Sequence, residues 1–476
     1  MRKEFYITTP IFYVNDKPHI GHAYTSIAAD ALARWRRLRG DEVFYLTGTD
    51  EHGSKIAQSA QKAGKTNEEF VDDISAQFEN LKTSLDLSWD VFFRTTDKEN
   101  HWPGAQALWK ELEEAGDIYE KEYEGLYCIG CEAFLNERDL VDGLCTDHKT
   151  KPELVKEVNL FFRLSKYQDQ IKEAIESGEL DIQPETRRNE ILALIDRGLE
   201  DVSFSRPKSK VDWGIPVPGR DDQVMYVWCD ALSNYINAVG YPDDEDRFKK
   251  WWPADIHMLG KDILRFHAAI WPGMLLSAGL PLPKHMFVHG FITSEGEKMS
   301  KTIGNVIDPV GVVDKYGSDA FRYYLLREIP SHEDGDFSVD KFEERYTADL
   351  ANGLGNFASR VSTLALQNDE WGSGGLDKDI QEQIDEVAKK AVQAAERFRL
   401  HEVTASVWEL IRLGDGYIND TKPWETGDKQ VISNAVNLLR TIADFVEPIV
   451  PKAALKIKDG IDSKQKIENL FPRLDA

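Results

Sequence analysis

Phe5-Tyr6-Ile7-Thr8-Thr9-Pro10-Ile11-Phe12-Tyr13-Val14, then Asn15-Asp16-Lys17-Pro18 and His19-Ile20-Gly21-His22, is the stretch that decides the fold. Apolar residues on both sides of a Thr-Thr-Pro kink read as a buried strand over residues 4–14. Ala23 to Arg37 carries apolar residues at helical spacing. Glu42-Val43-Phe44-Tyr45-Leu46 is a second apolar strand. Strand, glycine turn, helix and strand make the βαβ unit of a parallel sheet, so the expected fold class is α/β and Rossmann-like.

Outward from this unit the texture changes. Residues 1–116 read as the first half of the sheet domain. Residues 117–210 are charged, helical segments around a cysteine cluster, and read as an insertion. Strand-like runs return at Val224–Trp228, Ile256–Leu259 and Met286–His289, so 211–290 reads as the second half. Residues 291–345 form a loop-rich linker, and 346–476 an all-α helical bundle broken by Gly-Ser-Gly-Gly at 372–375. There are no internal repeats.

The 476 residues carry a formal charge of −25. That excludes loose coating of nucleic acid, which depends on net positive charge, but leaves room for a specific RNA bound through a local basic face. No apolar run reaches the roughly 18 residues a membrane helix needs. The N-terminus lacks a long apolar stretch and a cleavage site, so the expected location is the cytoplasm, with no membrane partner. Of four cysteines, three cluster with one histidine, which suits a metal site in a reducing compartment better than a disulfide framework.

His19-Ile20-Gly21-His22 lies where strand meets helix, and a helix N-terminus aims unpaired N–H groups at an anion. Gly21 lets a ligand approach the backbone, and His19 and His22 can both donate to phosphate oxygens. A plain helix cap accounts for the pair equally well. Lys298-Met299-Ser300-Lys301-Thr302 follows the polar turn Ser294-Glu295-Gly296-Glu297. Lysines three apart on a mobile loop can close on a triphosphate, although a lone pair of this kind is usually solvated. The two motifs stand nearly 280 residues apart, so the fold has to bring them to one ATP.

In this order the motifs resemble the class I aminoacyl-tRNA synthetases. Thr9–Asn15, Gly48-Thr49-Asp50-Glu51-His52-Gly53, Tyr226–Tyr235 and Gly260–His267 narrow the likeness to methionyl-tRNA synthetases, over nearly the whole chain. The resemblance implies an ATP site of His19, Gly21, His22, Gly260, Asp262, Lys298, Ser300, Lys301 and Thr302. His19, His22, Lys298 and Lys301 would be the catalytic set. It implies a methionine site of Pro10, Ile11, Tyr13, Asp50, Trp228, Ala231, Tyr235, Ile263 and His267, with Asp50 on the ammonium. Leu232 replaces a proline found in some relatives. A thioether is a weak acceptor that favours aromatic neighbours, and the Tyr235 hydroxyl can donate to it. A Tyr-Val-Trp run can also be plain core. Shape discriminates only about 1–3 kcal/mol per methylene, so homocysteine should leak in. The insertion is short for a separate editing domain, and the resemblance implies cyclisation of homocysteine in the synthetic site.

Cys128-Ile129-Gly130-Cys131 and Cys145-Thr146-Asp147-His148 form C-x2-C-x13-C-x2-H, four soft donors suited to one structural, tetrahedral Zn2+. Cys229 stands apart and reads as core. In the helical end, Asn356 and Arg360 share one helix face, and Trp424 follows Pro423. The resemblance makes these three the anticodon readers. A salt bridge for Arg360 and a packing anchor for Trp424 are the alternatives. The chain stops at Ala476 soon after the bundle, and a monomer is expected.

The expected activity is methionine–tRNA ligation with ATP and Mg2+ on tRNA(Met), including the initiator. Leucine, isoleucine, valine and cysteine enzymes of the class, a tRNA-independent adenylyltransferase, and a non-enzymatic zinc RNA-binding protein are the rivals. ATP–pyrophosphate exchange separates them.

Overall fold

The computed structural model describes residues 3–129, 133–135, 140–146, 149–299, 304–468 and 470–474. The chain divides into two compact units. One comprises residues 1–18, 42–80 and 89–288, and the other 19–41, 81–88 and 289–476.

The first unit is built on a six-stranded sheet. In chain order its strands are β1 (Glu4–Tyr13), β2 (Glu42–Asp50), β3 (Val91–Arg94), β4 (Asp181–Gln183), β5 (Ile256–Gly260) and β6 (His285–His289). Their spatial order is β3-β2-β1-β5-β6-β4, and the pairings β1–β2, β1–β5, β2–β3 and β6–β4 are parallel. The central strands are buried on both faces, which is why β1 and β2 read as near-continuous apolar runs. The Thr-Thr-Pro kink appears as a register shift against β2 between Thr8 and Ile11. Proline has no N–H for the ladder, so the shift falls where the sequence puts it.

Elements of the first unit differ from the sequence reading. Val224–Trp228 is not a strand of the main sheet. The strand there is Arg220–Met225, in a separate three-stranded sheet with Ser205–Pro207 and Pro216–Val217. Val227 already opens a helix, Val227–Asn237. The second difference is the short strand Asp181–Gln183, which pairs with His285–Phe287 although it lies in the stretch read as an insertion. Around the cysteines that stretch is antiparallel strand, Ile118–Cys128 against Glu153–Phe162, and not the helical segments its charged texture suggested; its helices come later, at Gln168–Ser177 and Glu185–Asp196.

The second unit begins with α1 (Ile20–Leu38) and ends in helices Asn356–Asn368, Lys378–Glu396, Leu400–Thr421, Lys429–Val446 and Pro451–Asp462. Arg322, on the helix Ser318–Glu328, is fully buried. The guanidinium pairs with Asp30 of α1 at 2.7 Å and donates to the carbonyls of Leu85, Asp86, Pro448 and Ile449. One side chain thereby ties α1, the 85–86 loop and the turn before the last helix. Among the described residues, no helix is long and apolar enough to cross a membrane.

Candidate active site

In the first unit, β1 and β2 end side by side. Ile11 pairs with Gly48, and Tyr13 with Asp50. Gly48 is required, because a Cβ there would lie 1.9 Å from the Phe93 carbonyl oxygen of β3. Pro10 and Asp50 are buried, whereas Ile11 and Tyr13 are half-buried. The Lys55 ammonium stands 5.8 Å from the Tyr13 ring.

The helix α2 (Val227–Asn237) carries Trp228, Ala231 and Tyr235 at positions i, i+3 and i+7, hence on one face. Trp228 stacks on Phe266 with centroids 3.9 Å apart and planes at 7°. Its ring also meets His267 edge-on at 5.8 Å. His267 belongs to a π-helical turn, Phe266–Ile270, a local widening of the kind that often carries functional side chains.

The polarity of the Tyr235–His267 pair follows from its neighbours. His267 Nδ1 lies 3.1 Å from the Ile263 carbonyl, which can only accept, so Nδ1 carries the proton. Burial pulls the His267 pKa down to about 4, so the ring is neutral at pH 7. Its Nε2 therefore accepts the Tyr235 hydroxyl proton at 2.9 Å. The donor that the sequence offered to a thioether is engaged by His267. Burial, then the Asp50 charge, raises the Tyr235 pKa further. Gly260 ends β5, Asp262 is exposed and Ile263 half-buried, all on the turn that leads to His267.

In the second unit the two histidines cap α1 reciprocally. His19 Nδ1 accepts from Gly21 N–H at 3.0 Å, and His22 Nδ1 accepts from His19 N–H at 3.2 Å. Their rings stack at 3.8 Å. Burial, then the His19 charge, lowers the His22 pKa well below its usual value. With both Nδ1 atoms accepting, each neutral ring carries its proton on Nε2, a donor suited to an anion. The cap is thus realised, in a form compatible with the phosphate reading. Gly21 serves the cap too, since a Cβ would sit 2.9 Å from His19 Cε1.

Lys298 lies on a two-residue strand paired with Ile292–Ser294, across a turn in which Glu295 and Gly296 have φ of 52° and 78°. It is exposed, with its ammonium 5.7 Å from the Phe291 ring. The chain on both sides of it is tied to the first turns of α1. The Thr25 hydroxyl lies 2.8 Å from His289 Nε2, and Ile20 N–H donates to the Ile307 carbonyl at 3.1 Å. Ser300, Lys301 and Thr302 lie outside the described residues.

The sequence profile of the class I tRNA synthetases (M) matches residues 5–149 and 137–362. The methionine–tRNA ligase of Caldanaerobacter subterraneus subsp. tengcongensis is 44% identical, over 100% of this chain and 80% of that protein. The chain belongs to the methionine–tRNA ligase family. The Brucella suis biovar 1 ligase is 43% identical over 96% of this chain and 92% of its own length. Among solved structures, Mycobacterium tuberculosis methionyl-tRNA synthetase in complex with methionyl-adenylate superposes with a TM-score of 0.91 at 39% identity. That match covers 96% of this chain and 93% of the other.

Two further features of this family member were singled out in the sequence. In the helical end, Arg360 contacts Asp415 at 3.3 Å and Asn419 Oδ1 at 2.7 Å, and its guanidinium lies 5.4 Å from the Trp424 ring. Trp424 is 49% exposed and Asn356 is exposed, so Trp424 is not a buried packing anchor. In the cysteine cluster, Cys128 and Cys145 are buried together with Leu135 in a small apolar group. The Cys145 turn is closed by Cys145 N–H to Thr150 O and Lys149 N–H to Cys145 O, both 2.9 Å. Two buried thiols in one small apolar group are donors of the kind a thiolate metal site uses, and among the described residues no three candidate ligands cluster. Cys131 and His148 lie outside the described residues. Cys229 is buried in the main core, where burial raises its thiol pKa.

Sequence reasoning assigned no role to Phe266, His101, His52 or Asp230. Phe266, His52 and Asp230 stood inside the quoted runs, but a buried hydrogen bond between residues 178 apart leaves no local signal.

Proposed function

We propose that this chain activates L-methionine with ATP to methionyl-adenylate and pyrophosphate. It then transfers methionine to the 3′-terminal adenosine of tRNA(Met), initiator tRNA included. The observation that carries the reading is a buried carboxylate, Asp50, whose charge reaches the Tyr235 hydroxyl of the wall formed by Trp228, Ala231, Tyr235 and His267, in a chain similar to a synthetase solved with methionyl-adenylate. Asp50 holds the ammonium. Pro10, Ile11, Tyr13 and Ile263 complete the side-chain site, with Ile11 meeting the substrate through its backbone. Gly260 and Asp262 face the adenosine.

The methionine carboxylate is already ionised, so no general base is needed. Its oxygen forms a bond to the α-phosphorus as the bond to the pyrophosphate oxygen breaks. Catalysis is positioning and charge stabilisation. His19 and His22 donate their Nε2–H groups to phosphate oxygens, with Gly21 beside them. Lys298 and Lys301, flanked by Ser300 and Thr302, neutralise the charge that builds on the departing pyrophosphate. Mg2+ accompanies ATP and offsets phosphate charge when bound. In the second step a ribose hydroxyl of the terminal adenosine, the 2′-hydroxyl, takes the acyl group and AMP leaves.

The proposal extends to the domains. Residues 1–116 and 211–290 act as the catalytic halves, 117–210 as the zinc-bearing insertion, and 291–345 as the lysine-loop linker. Residues 346–476 form the bundle in which Asn356, Arg360 and Trp424 read the anticodon. Zn2+ would be held by Cys128, Cys131, Cys145 and His148, and would staple the insertion structurally. Such thiols suit the reducing cytoplasm. We further propose a monomer, since residues for both steps stand in one chain.

The test is ATP–pyrophosphate exchange. Methionine should drive it, and leucine, isoleucine, valine and cysteine should not. Exchange with one of those alone overturns the substrate assignment.

A further inference from the structure

Several buried polar side chains of the first unit converge on a carboxylate that the mechanism does not use. Asp230 is fully buried on α2. One of its oxygens lies 2.6 Å from His52 Nδ1, and the other 2.6 Å from His101 Nε2. A carboxylate only accepts, so both nitrogens carry protons. His101 agrees independently, because its Nδ1 accepts from Asn237 Nδ2 at 3.1 Å. The same amide reaches the His101 carbonyl at 3.1 Å. Burial pushes the Asp230 carboxyl up, but the two histidines outweigh it and hold it below the usual carboxylate range.

These bonds join three pieces of chain. His52 lies two residues beyond Asp50, in the turn that leaves β2. His101 precedes the helix Trp102–Glu114. Asp230 stands on α2 between Trp228 and Ala231. The Asp50 turn is pinned from outside as well: Trp213 Nε1 donates to Glu51 O at 2.5 Å, and Glu51 N–H donates to Thr95 Oγ1 at 2.9 Å. The helix after His101 lies so close to α2 that a Cβ on Gly104 would stand 2.2 Å from Asn237 Oδ1. No side chain fits there to hold the two apart.

An α-amino acid presents its ammonium and its side chain at a separation fixed by covalent bonds. A site that grips both needs the two grips in register, and a 1 Å misplacement can cost about a hundredfold. We propose that Asp230 is a positioning residue which, through His52 and His101, sets the Asp50 carboxylate in register with the Trp228–Ala231–Tyr235 wall. This rests on the reading of those residues as the methionine site.

Asp230→Asn tests it. The amide keeps the shape but accepts at one atom and donates at the other, so one histidine N–H meets a donor. The expected result is a KM for methionine raised about tenfold or more. KM for ATP and kcat, normalised to active sites by an adenylate burst, should stay within a factor of about three. His101→Leu should reproduce the effect, and His101→Gln, which restores an N–H donor, should recover most of it. If Asp230→Asn gives no soluble protein, the His101 pair decides alone. The proposal is overturned if KM for methionine stays at the wild-type value while only thermal stability or the active fraction falls. It is equally overturned if methionine and ATP parameters fall together, or if Gln rescues no better than Leu. Failure of the wild-type chain to exchange with methionine would instead sink the underlying reading, and the two outcomes are distinct.

Discussion

Replacing Arg322 by methionine removes the cation from a fully buried ion pair of the second unit. The magnitude follows from what it leaves behind. Arg322 and Asp30 have no exposed side-chain surface and meet at 2.7 Å. The guanidinium also donates to Ile449 O at 3.0 Å, Leu85 O and Asp86 O at 3.2 Å, and Pro448 O at 2.8 Å. Methionine matches much of the volume but none of the five contacts. Breaking a buried pair by removing one partner costs about 3–5 kcal/mol, because an uncompensated charge stays behind. Asp30 is not left bare: Arg34 Nε reaches it at 2.8 Å, and Ser88 donates from both its N–H and its hydroxyl at 2.6 Å. Against that partial rescue stand four carbonyls that lose their donor, each worth on the order of 1 kcal/mol. The loss should therefore stay at about 3–5 kcal/mol, or roughly 6–20 °C in Tm for a unit of this size. Arg322→Lys should fall between, since an ammonium keeps the charge but not the fork. The double variant Asp30→Asn/Arg322→Met should be less destabilised than the sum of the singles, because no lone charge remains. Thermal unfolding followed by tryptophan fluorescence reads the wild type and the four variants, Asp30→Asn included. A loss below about 1 kcal/mol for Arg322→Met, or strict additivity in the double variant, would refute the reasoning.

Three further outcomes are expected. Lys298→Ala should lower kcat in ATP–pyrophosphate exchange by at least about tenfold while barely raising KM, because its contact matters mainly as pyrophosphate departs; a pure KM effect would remove its role. Trp424→Ala should leave exchange intact and weaken charging of tRNA(Met) at least about tenfold, consistent with the loss of a stacked base worth about 1–3 kcal/mol; unchanged charging would reduce this half-exposed ring to a partner for Arg360. His267 is buried neutral with a pKa near 4 against 6.5 in the unfolded chain, so the unfolded state binds more protons between those values. Its contribution is complete above pH 6.5 and is lost as pH falls towards 4, about 3 kcal/mol in all. Denaturant midpoints at pH 7 and pH 4 should therefore differ less in His267→Gln than in the wild type, and equal differences would contradict the assignment.

Much of the first unit was legible because parallel strands buried on both faces leave long apolar runs. Phe5–Tyr13 and Val43–Leu46 are such runs, and the kink at Thr9-Pro10 announces itself through the missing N–H of proline. The strand Asp181–Gln183 was not legible, since three residues carry no periodicity. Val224–Trp228 misled for another reason. Valine and aromatic residues suit a strand, and the run does contain one, but the chain turns at Tyr226 and its i, i+3, i+7 spacing belongs to a helix that starts inside the run.

The site divides in the same way. Residue identity by itself determined the chemistry on offer: paired histidines at a helix start, lysines three apart, a carboxylate in a Gly-Thr-Asp run, and a knuckle of thiols. Only the tertiary structure decided how those groups are used. It aimed the Tyr235 hydroxyl at His267 as a hydrogen-bond donor, and it closed Asp230 against two histidines. Composition and spacing record which groups are present within a few residues of one another. Tautomer, charge state and register depend on partners brought together from distant parts of the chain, and those exist only once it has folded.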